Sequence, residues 1–311
     1  MVDEPYVLTK DGKNIRCLSN VCTHRGTIVC EKATKTKNLV CGYHGRQFHI
    51  DGKMKFMPEF EDVENFPSES DNLPRIEMDM WKKMIFIIND KKCDISELIG
   101  PMIERLSWLP IEEFKYKPEM SRIYNVKANW ALYCDNYLEG FHIPFVHKDL
   151  NQTLEYDEYF TEGIDNTVLQ IGIGKDNENT CDLPENHQDY GKNVAAYYFF
   201  LFPNMMFNFY PWGLSVNVVK PKSPEETQIE YFTYVWKEEL MEKGAGSGLD
   251  KVELEDEEIV ESVQKGIKSK AYDRGRYSPR REIGVYYFHK LIQKLSLIHI
   301  SEPTSRVFSA Y

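Results

Sequence analysis

The sequence predicts an α+β protein in two parts, a small β domain followed by a larger domain of helices and antiparallel sheet. Three observations predict it. Hairpin patterns with Gly at the turns crowd residues 1–92. Five strand-like segments follow one another between residues 168 and 236 with no helical stretch among them. Segments of helical period stand before and after that run, at residues 129–141, 254–269 and 282–295.

Residues 2–20 read as a hairpin in which 6–9 and 14–18 flank Lys10-Asp11-Gly12-Lys13. Only this hairpin precedes the first Cys-His loop, so part of the natural N-terminus is expected to be missing. Residues 38–40 read as a short strand, and 47–50 and 53–56 as a hairpin turning at Asp51-Gly52. The apolar strand at 84–89 closes the small domain. Residues 94–109 look helical and 110–118 look like a connection, which sets boundaries of 1–92, 93–120 and 121–296.

In the second part, 122–126 is strand-like. The helix at 129–141 carries Trp130, Tyr133, Tyr137, Leu138 and Phe141 at near-helical spacing. The five strands are 168–171, 195–202, 205–210, 214–219 and 228–236, and 243–248 is a Gly-rich loop. The helix at 254–269 has Ile259, Val263 and Ile267 on one stripe and Asp256 and Glu257 near its positive start. The final tail, 297–311, is set aside, because Leu297 to Thr304 resembles translated sequencing-adapter read-through. The natural C-terminus is then expected to be missing too.

Composition excludes several classes. The chain of 311 residues is 42% hydrophobic and 28% charged, which fits a globular protein. A formal charge of -11 argues against a nucleic-acid partner. Seven scattered cysteines, an odd number, do not form a disulfide framework and point to a reducing compartment. No apolar run reaches membrane-spanning length and the first twenty residues hold no signal-peptide core, so the expected location is cytoplasmic, away from membranes.

The chemistry begins at Cys22-Thr23-His24-Arg25-Gly26 and Cys41-Gly42-Tyr43-His44-Gly45. Spacings C-x-H and C-x-x-H offer two thiolates and two imidazoles, the ligand set of a Rieske-type [2Fe-2S] cluster. A zinc site is the alternative, and C-x-H is an unusual spacing for zinc. Further on, Asp135 to His147 holds His142 and His147, with Glu139 three residues before the first. Two His and one carboxylate on one face make a non-heme iron site. Five residues apart on a straight helix, the two His would point about 140° apart. Pro144 is expected to break the helix and bring His147 back.

Both Cys-His motifs and the 135–147 segment resemble the Rieske non-heme iron oxygenases, the ring-hydroxylating oxygenase alpha subunits. Arg46 stands where many aromatic-ring dioxygenases have Trp, and Arg46-Gln47-Phe48 with Met57-Pro58-Glu59-Phe60 looks more like the choline and carnitine monooxygenase branch. The resemblance covers residues 18 to about 295. It implies a Rieske domain and a helix-grip catalytic domain, with Cys22, His24, Cys41 and His44 on the cluster. It implies mononuclear Fe(II) on His142, His147 and an early Asp of a C-terminal helix, which maps to Asp256. Glu255 and Glu257 stay open as alternatives, and an acidic run at a helix start is favourable without any metal.

The same resemblance implies that Glu139 bridges a Rieske His of one subunit to an iron-ligand His of its neighbour in a head-to-tail homotrimer, with Asp135 as runner-up. Electrons would come from NAD(P)H through a separate reductase or ferredoxin. The expected reaction is O2-dependent monooxygenation of a quaternary ammonium or small amine. Aromatic-ring dihydroxylation is the alternative within enzymes, and a Rieske electron-transfer protein without oxygenase activity the alternative outside them. The aromatic stretches 195–202 and 207–212 serve either as sheet core or as a cage for a quaternary ammonium.

Overall fold

The structure, a computed structural model, describes residues 4–88 and 94–301. Asn89, Cys93, the expected boundary at 92/93 and residues 302–311 lie outside the described residues. The chain divides into two compact units at Ile95/Ser96.

The first unit holds β1 (Tyr6–Asp11), β2 (Asn14–Ser19), β3 (Asn38–Val40), β4 (Gln47–His49), β5 (Met54–Phe56), β6 (Arg75–Trp81) and β7 (Met84–Ile88). One antiparallel sheet runs β1-β2-β6-β7 and a second runs β3-β4-β5. Strand β6 was not expected, although Ile76, Met78 and Met80 alternate with charged residues as a half-buried strand requires. Leu18, Leu39, Phe48 and Leu73 form a core that includes Cys22 and Cys41. Gly52, at φ +91°, lets the β4–β5 turn press on this core. A Cβ there would sit 3.0 Å from Leu18 Cδ2 and 3.1 Å from the Leu73 carbonyl.

The second unit opens with α1 (Ile95–Arg105), β8 (Lys115–Tyr116), β9 (Arg122–Val126), α2 (Trp130–Tyr137), α3 (Ile143–Val146) and α4 (Leu150–Thr153). Six strands follow: β10 (Phe160–Ile164), β11 (Thr167–Ile173), β12 (Val194–Leu201), β13 (Met205–Tyr210), β14 (Gly213–Ser223) and β15 (Glu226–Val235). Helices α5 (Leu249–Gly266) and α6 (Ile283–Ser301) close the chain. Strands β10 to β15 are consecutive antiparallel neighbours, and β8 and β9 both pair with β15. The strands are apolar on both faces in the middle of the sheet. Every residue of β11 and β12 is buried, because helices cover one face and loops the other edge. Tyr133, Cys134 and Leu138 at α2, Val260 of α5 and Val285 and Phe288 of α6 pack with Val168, Phe200, Met206, Val219 and Ile229 of the sheet.

Five elements of the second unit depart from expectation. Lys115 and Tyr116, in the segment read as a connection, pair with Val235 and Tyr234. Strand β10 also joins the sheet edge, its register fixed by Ile164↔Thr167 across a tight turn. Helix α2 stops at Tyr137 rather than 141, where the chain must turn away, and Gly284 at the start of α6 packs against that corner. A Cβ on Gly284 would lie 2.3 Å from the Leu138 carbonyl. Helix α5 begins at Leu249, five residues early, and α6 continues through Ser301. Among the described residues no helix is long and apolar enough to cross a membrane.

Candidate metal centres

His142 and His147 flank the single turn of α3, one just before it and one just after. Pro144 lies in the first turn of that helix, where its missing N–H costs nothing. It therefore starts a short helix instead of breaking a long one, which corrects the sequence expectation. The result is the same in kind: His142 Nε2 lies 3.2 Å from His147 Nε2. From α5, Asp256 Oδ1 comes within 3.0 Å of His147 Nε2 and 3.4 Å of His142 Nε2. Three ligands at right angles on one metal, with bonds of about 2.1 Å, stand about 3.0 Å apart. The three atoms thus fit one facial trio around a single ion. Among the described residues they are the one His/Cys/Asp/Glu group whose ligand atoms close to within 4.8 Å.

Because α5 starts at Leu249, Asp256 sits about two turns into the helix. The acidic run is not at the positive helix end, so a favourable helix dipole does not account for it. Glu255 takes a different post: its Oε2 lies 2.8 Å from His147 Nδ1. Glu139 does the same for His142, with Oε1 2.7 Å from Nδ1. Each imidazole therefore turns Nε2 to the centre and donates Nδ1–H to a carboxylate, the arrangement that fixes tautomer and orientation of metal ligands. The three-residue spacing of Glu139 and His142 would put both on one face of a continuous helix, but α2 ends at Tyr137 and both lie beyond it. The chain loops beyond α2, and the Phe141 and His142 amides donate to Glu139 Oε2, which locks the loop. Asp135 is engaged elsewhere, pairing with His289 of α6 at 3.1 Å, while the Tyr277 hydroxyl meets the other ring nitrogen of His289.

Electrostatics describe a site short of positive charge. Burial alone would lower the His142 pKa, but its hydrogen bonds to Asp256 and Glu139 outweigh it and raise it to about 9. His147 is raised in the same way by Asp256 and Glu255 against burial. Burial pushes Asp256 up, but both imidazoles overcome this and hold it below the usual carboxylate range. A divalent cation held by the same three atoms would meet the carboxylates that favour positive charge on the imidazoles.

In the first unit the two Cys-His loops are built alike. The Cys22 amide donates to Thr27 O and the Cys41 amide to Arg46 O, each 2.8 Å; the Gly26 and Gly45 amides return to Cys22 O and Cys41 O. Gly26 and Gly45 both have φ near +75°, at +76° and +73°, which a side chain would strain. The two sulfurs are buried and the His24 and His44 rings meet edge to face with centroids 4.8 Å apart. Burial raises the Cys22 thiol, and the His24 and Arg25 amides aimed at its sulfur oppose that. Burial and the nearby His44, Arg25 and Arg46 lower His24, favouring the neutral, ligating imidazole. These four residues do not close around one point as ligands of a single zinc ion would. Ligands divided over two irons are more widely spread. Arg46 is 2% exposed, pairs with Asp71 at 2.6 Å and stacks over Phe48 and Phe66 at 5.7 and 5.4 Å. Its guanidinium ties the second loop to the segment beyond β5.

A cavity of about 110 Å³ adjoins His142, His147 and Asp256. Tyr137, Tyr159, Tyr198 and Tyr210 form much of its wall, with Asn208, Gln170 and Glu253. Tyr198 stands edge to face with Tyr210, and Tyr159 stacks on Tyr198. Glu253 was missed at the level of sequence. It is 3% exposed, and Tyr133 and Tyr231 both donate to its Oε2. Burial pushes its pKa up to about 8 against those two hydroxyls. The signal was present: Leu249, Glu253, Asp256, Val260 and Gln264 fall on one stripe of a helix begun at 249.

Residues 1–67 match the family described as Rieske [2Fe-2S] domain, and residues 106–296 match Ring hydroxylating alpha subunit (catalytic domain). Choline monooxygenase of Spinacia oleracea is 27% identical over 301 residues, covering 93% of this chain and 66% of that protein. The carnitine monooxygenase oxygenase subunit of Escherichia coli K12 is 30% identical over 312 residues, covering 95% and 82%. The chain thus spans 64–71% of the length of the choline monooxygenases it matches. Among solved structures, the quaternary ammonium Rieske monooxygenase CntA has the same fold, with TM-score 0.70 and 22% identity over 94% of this chain and 85% of that one. Naphthalene 1,2-dioxygenase from Rhodococcus sp. shares it as well, with TM-score 0.70 and 17% identity over 95% and 84%.

Proposed function

From the premise that the chain belongs to the ring-hydroxylating oxygenase alpha-subunit family, with its Rieske domain, we propose that it is an O2-dependent monooxygenase of a quaternary ammonium or similar small amine. Choline and carnitine monooxygenases are the named relatives. The observation that carries the oxygenase reading is the convergence of His142 Nε2, His147 Nε2 and Asp256 Oδ1 to 3.0–3.4 Å. A pure electron carrier has no use for a second, three-ligand site beside a cavity.

When bound, a [2Fe-2S] cluster on Cys22, His24, Cys41 and His44 supplies single electrons, and an Fe(II) on His142, His147 and Asp256 supplies open coordination positions for O2. The chain's own groups do the rest. Glu139 and Glu255 hold the Nδ1 protons of the two imidazoles and so keep both Nε2 lone pairs on the centre. Glu139 is also the residue through which a neighbouring subunit's Rieske His would connect, in a homotrimer fed by a separate reductase or ferredoxin drawing on NAD(P)H. The tyrosine walls exclude water and offer ring faces to a cation.

Turnover with a surrogate reductase tests the reading across choline, carnitine, glycine betaine and simple arenes. Oxygenation of a quaternary ammonium substrate is expected. Turnover of arenes alone refutes the amine reading, and iron content of about two rather than about three per chain refutes the oxygenase reading.

A further inference from the structure

Glu253 is a buried carboxyl of α5 bonded by Tyr133 of α2 and Tyr231 of β15. A carboxyl taken out of water costs several kcal/mol unless its oxygens are satisfied, and an apolar side chain would fill the space more cheaply. Both tyrosine hydroxyls, Tyr133 and Tyr231, donate to the same oxygen, Oε2. The other oxygen, Oε1, is fully buried and has no hydrogen-bond partner. The two tyrosines thus fix the carboxyl and leave half of it unused, on a residue that lines the cavity.

Its position along α5 is equally specific. Glu253 lies three residues before Asp256, on the same helix face and about 4.5 Å nearer the N-terminus. A group held at Glu253 therefore stands about one helical turn from the carboxylate of the metal trio.

Charge completes the argument. Three carboxyl groups line the cavity, Glu139, Glu253 and Asp256, and among the described residues no Lys or Arg lines it. A divalent iron balances two carboxylates. Burial favours the neutral form of the third, Glu253, and a single monocation beside it would favour the ionised form and cancel its charge. A neutral arene would leave Glu253 either uncompensated or protonated.

We propose that Glu253 is the anionic anchor of the substrate pocket, pairing with the cationic head of a quaternary ammonium compound while the tyrosine rings enclose its methyl groups. This rests on the amine reading and adds the residue that enforces it. Glu253 is then a specificity residue, selecting charge, while the rings of Tyr198 and Tyr210 select shape.

The test is calorimetric binding to the full chain, iron-loaded under anaerobic conditions, of choline and of 3,3-dimethylbutan-1-ol, its uncharged carbon isostere. Wild type is expected to prefer choline at least tenfold. Glu253→Gln is expected to bring the two ligands within about twofold of each other, chiefly by weakening choline. Glu253→Met gives a second reading, taken on protein whose cooperative melting shows that it is folded: it removes the acceptor of Tyr133 and Tyr231 but leaves their hydroxyls bonded to each other at 2.8 Å. Preference for choline that survives in either folded variant overturns the anchor and leaves the amine reading standing. A wild-type protein that binds both ligands equally overturns both.

Discussion

Replacing Glu255 by Gln tests whether the acidic run of α5 is divided between ligand and support. The Glu255 carboxylate sits 2.8 Å from His147 Nδ1 and its side chain is 29% exposed. Gln keeps the size and an acceptor oxygen but removes the charge that makes the imidazole a stronger donor to metal. Removing such an outer partner typically lowers metal affinity by about 10–100-fold. Partial exposure and the Lys251 ammonium, 3.8 Å from the other Glu255 oxygen, place this site at the lower end. We expect a drop of about tenfold, or about 1.4 kcal/mol. Asp256→Asn should abolish stoichiometric binding, and Glu257→Gln should leave it unchanged. The assay is anaerobic competition for Fe(II) against a chromophoric chelator. The cluster absorption of the same sample serves as internal control, because its ligands lie in the other compact unit. Wild-type affinity in Glu255→Gln, or equal weakening in Glu257→Gln, refutes the assignment of these three carboxylates.

Three further outcomes are expected. Cys41→Ser should remove the visible absorption of the cluster and leave about one iron per chain, measured by metal analysis. Arg46→Met should destabilise the first unit by about 2 kcal/mol, less than the 3–5 of a fully buried pair, because Asp71 is 20% exposed and keeps its bonds from Ser68. Burial raises the Asp71 pKa, but Ser68 and Arg46 overcome it and lower it overall. A depressed carboxylate stabilises above its unfolded value near 3.9 and loses that contribution as the pH falls through its folded value. The difference in melting temperature between wild type and Arg46→Met should therefore be full at neutral pH and shrink below about pH 4. Gly284→Ala should cost about 2 kcal/mol or more, since its Cβ would meet a backbone carbonyl that cannot swing aside, and should weaken Fe(II) binding by moving the corner that leads into Glu139.

What could be read in advance follows the range of the interactions. The Cys22 and Cys41 loops were legible because each closes on itself within five residues, with Gly26 and Gly45 taking the turn. His142 and His147 were legible as a pair, although the chain joins them through a helical turn begun by Pro144 and not a broken helix. Asp256 was reached through the resemblance, since nothing local tells it from Glu255 or Glu257. Glu253 escaped because its partners, Tyr133 and Tyr231, are 120 and 22 residues away. Strand β8 escaped for the same reason, being two residues long and defined only by its pairing with β15. The start of α5 was misplaced because Gly248, in the left-handed conformation, reads as loop rather than as a helix boundary.

Helix α5 carries Glu253 and Asp256 on a face that also buries Val260 and Gln264, while Leu254, Ile259 and Val263 stay outside. Such a helix is a ruler with a fixed zero. Glu253 and Asp256 now stand about 60° apart around the axis, and one residue deleted between them would widen that to about 160°, onto opposite faces. The outer positions can drift freely in sequence, but the count between those two carboxyl groups cannot fall by one without parting the pocket from the metal. Descendants of this chain that alter what it accepts would therefore do so by exchanging side chains along α5, not by shortening the stretch between Glu253 and Asp256.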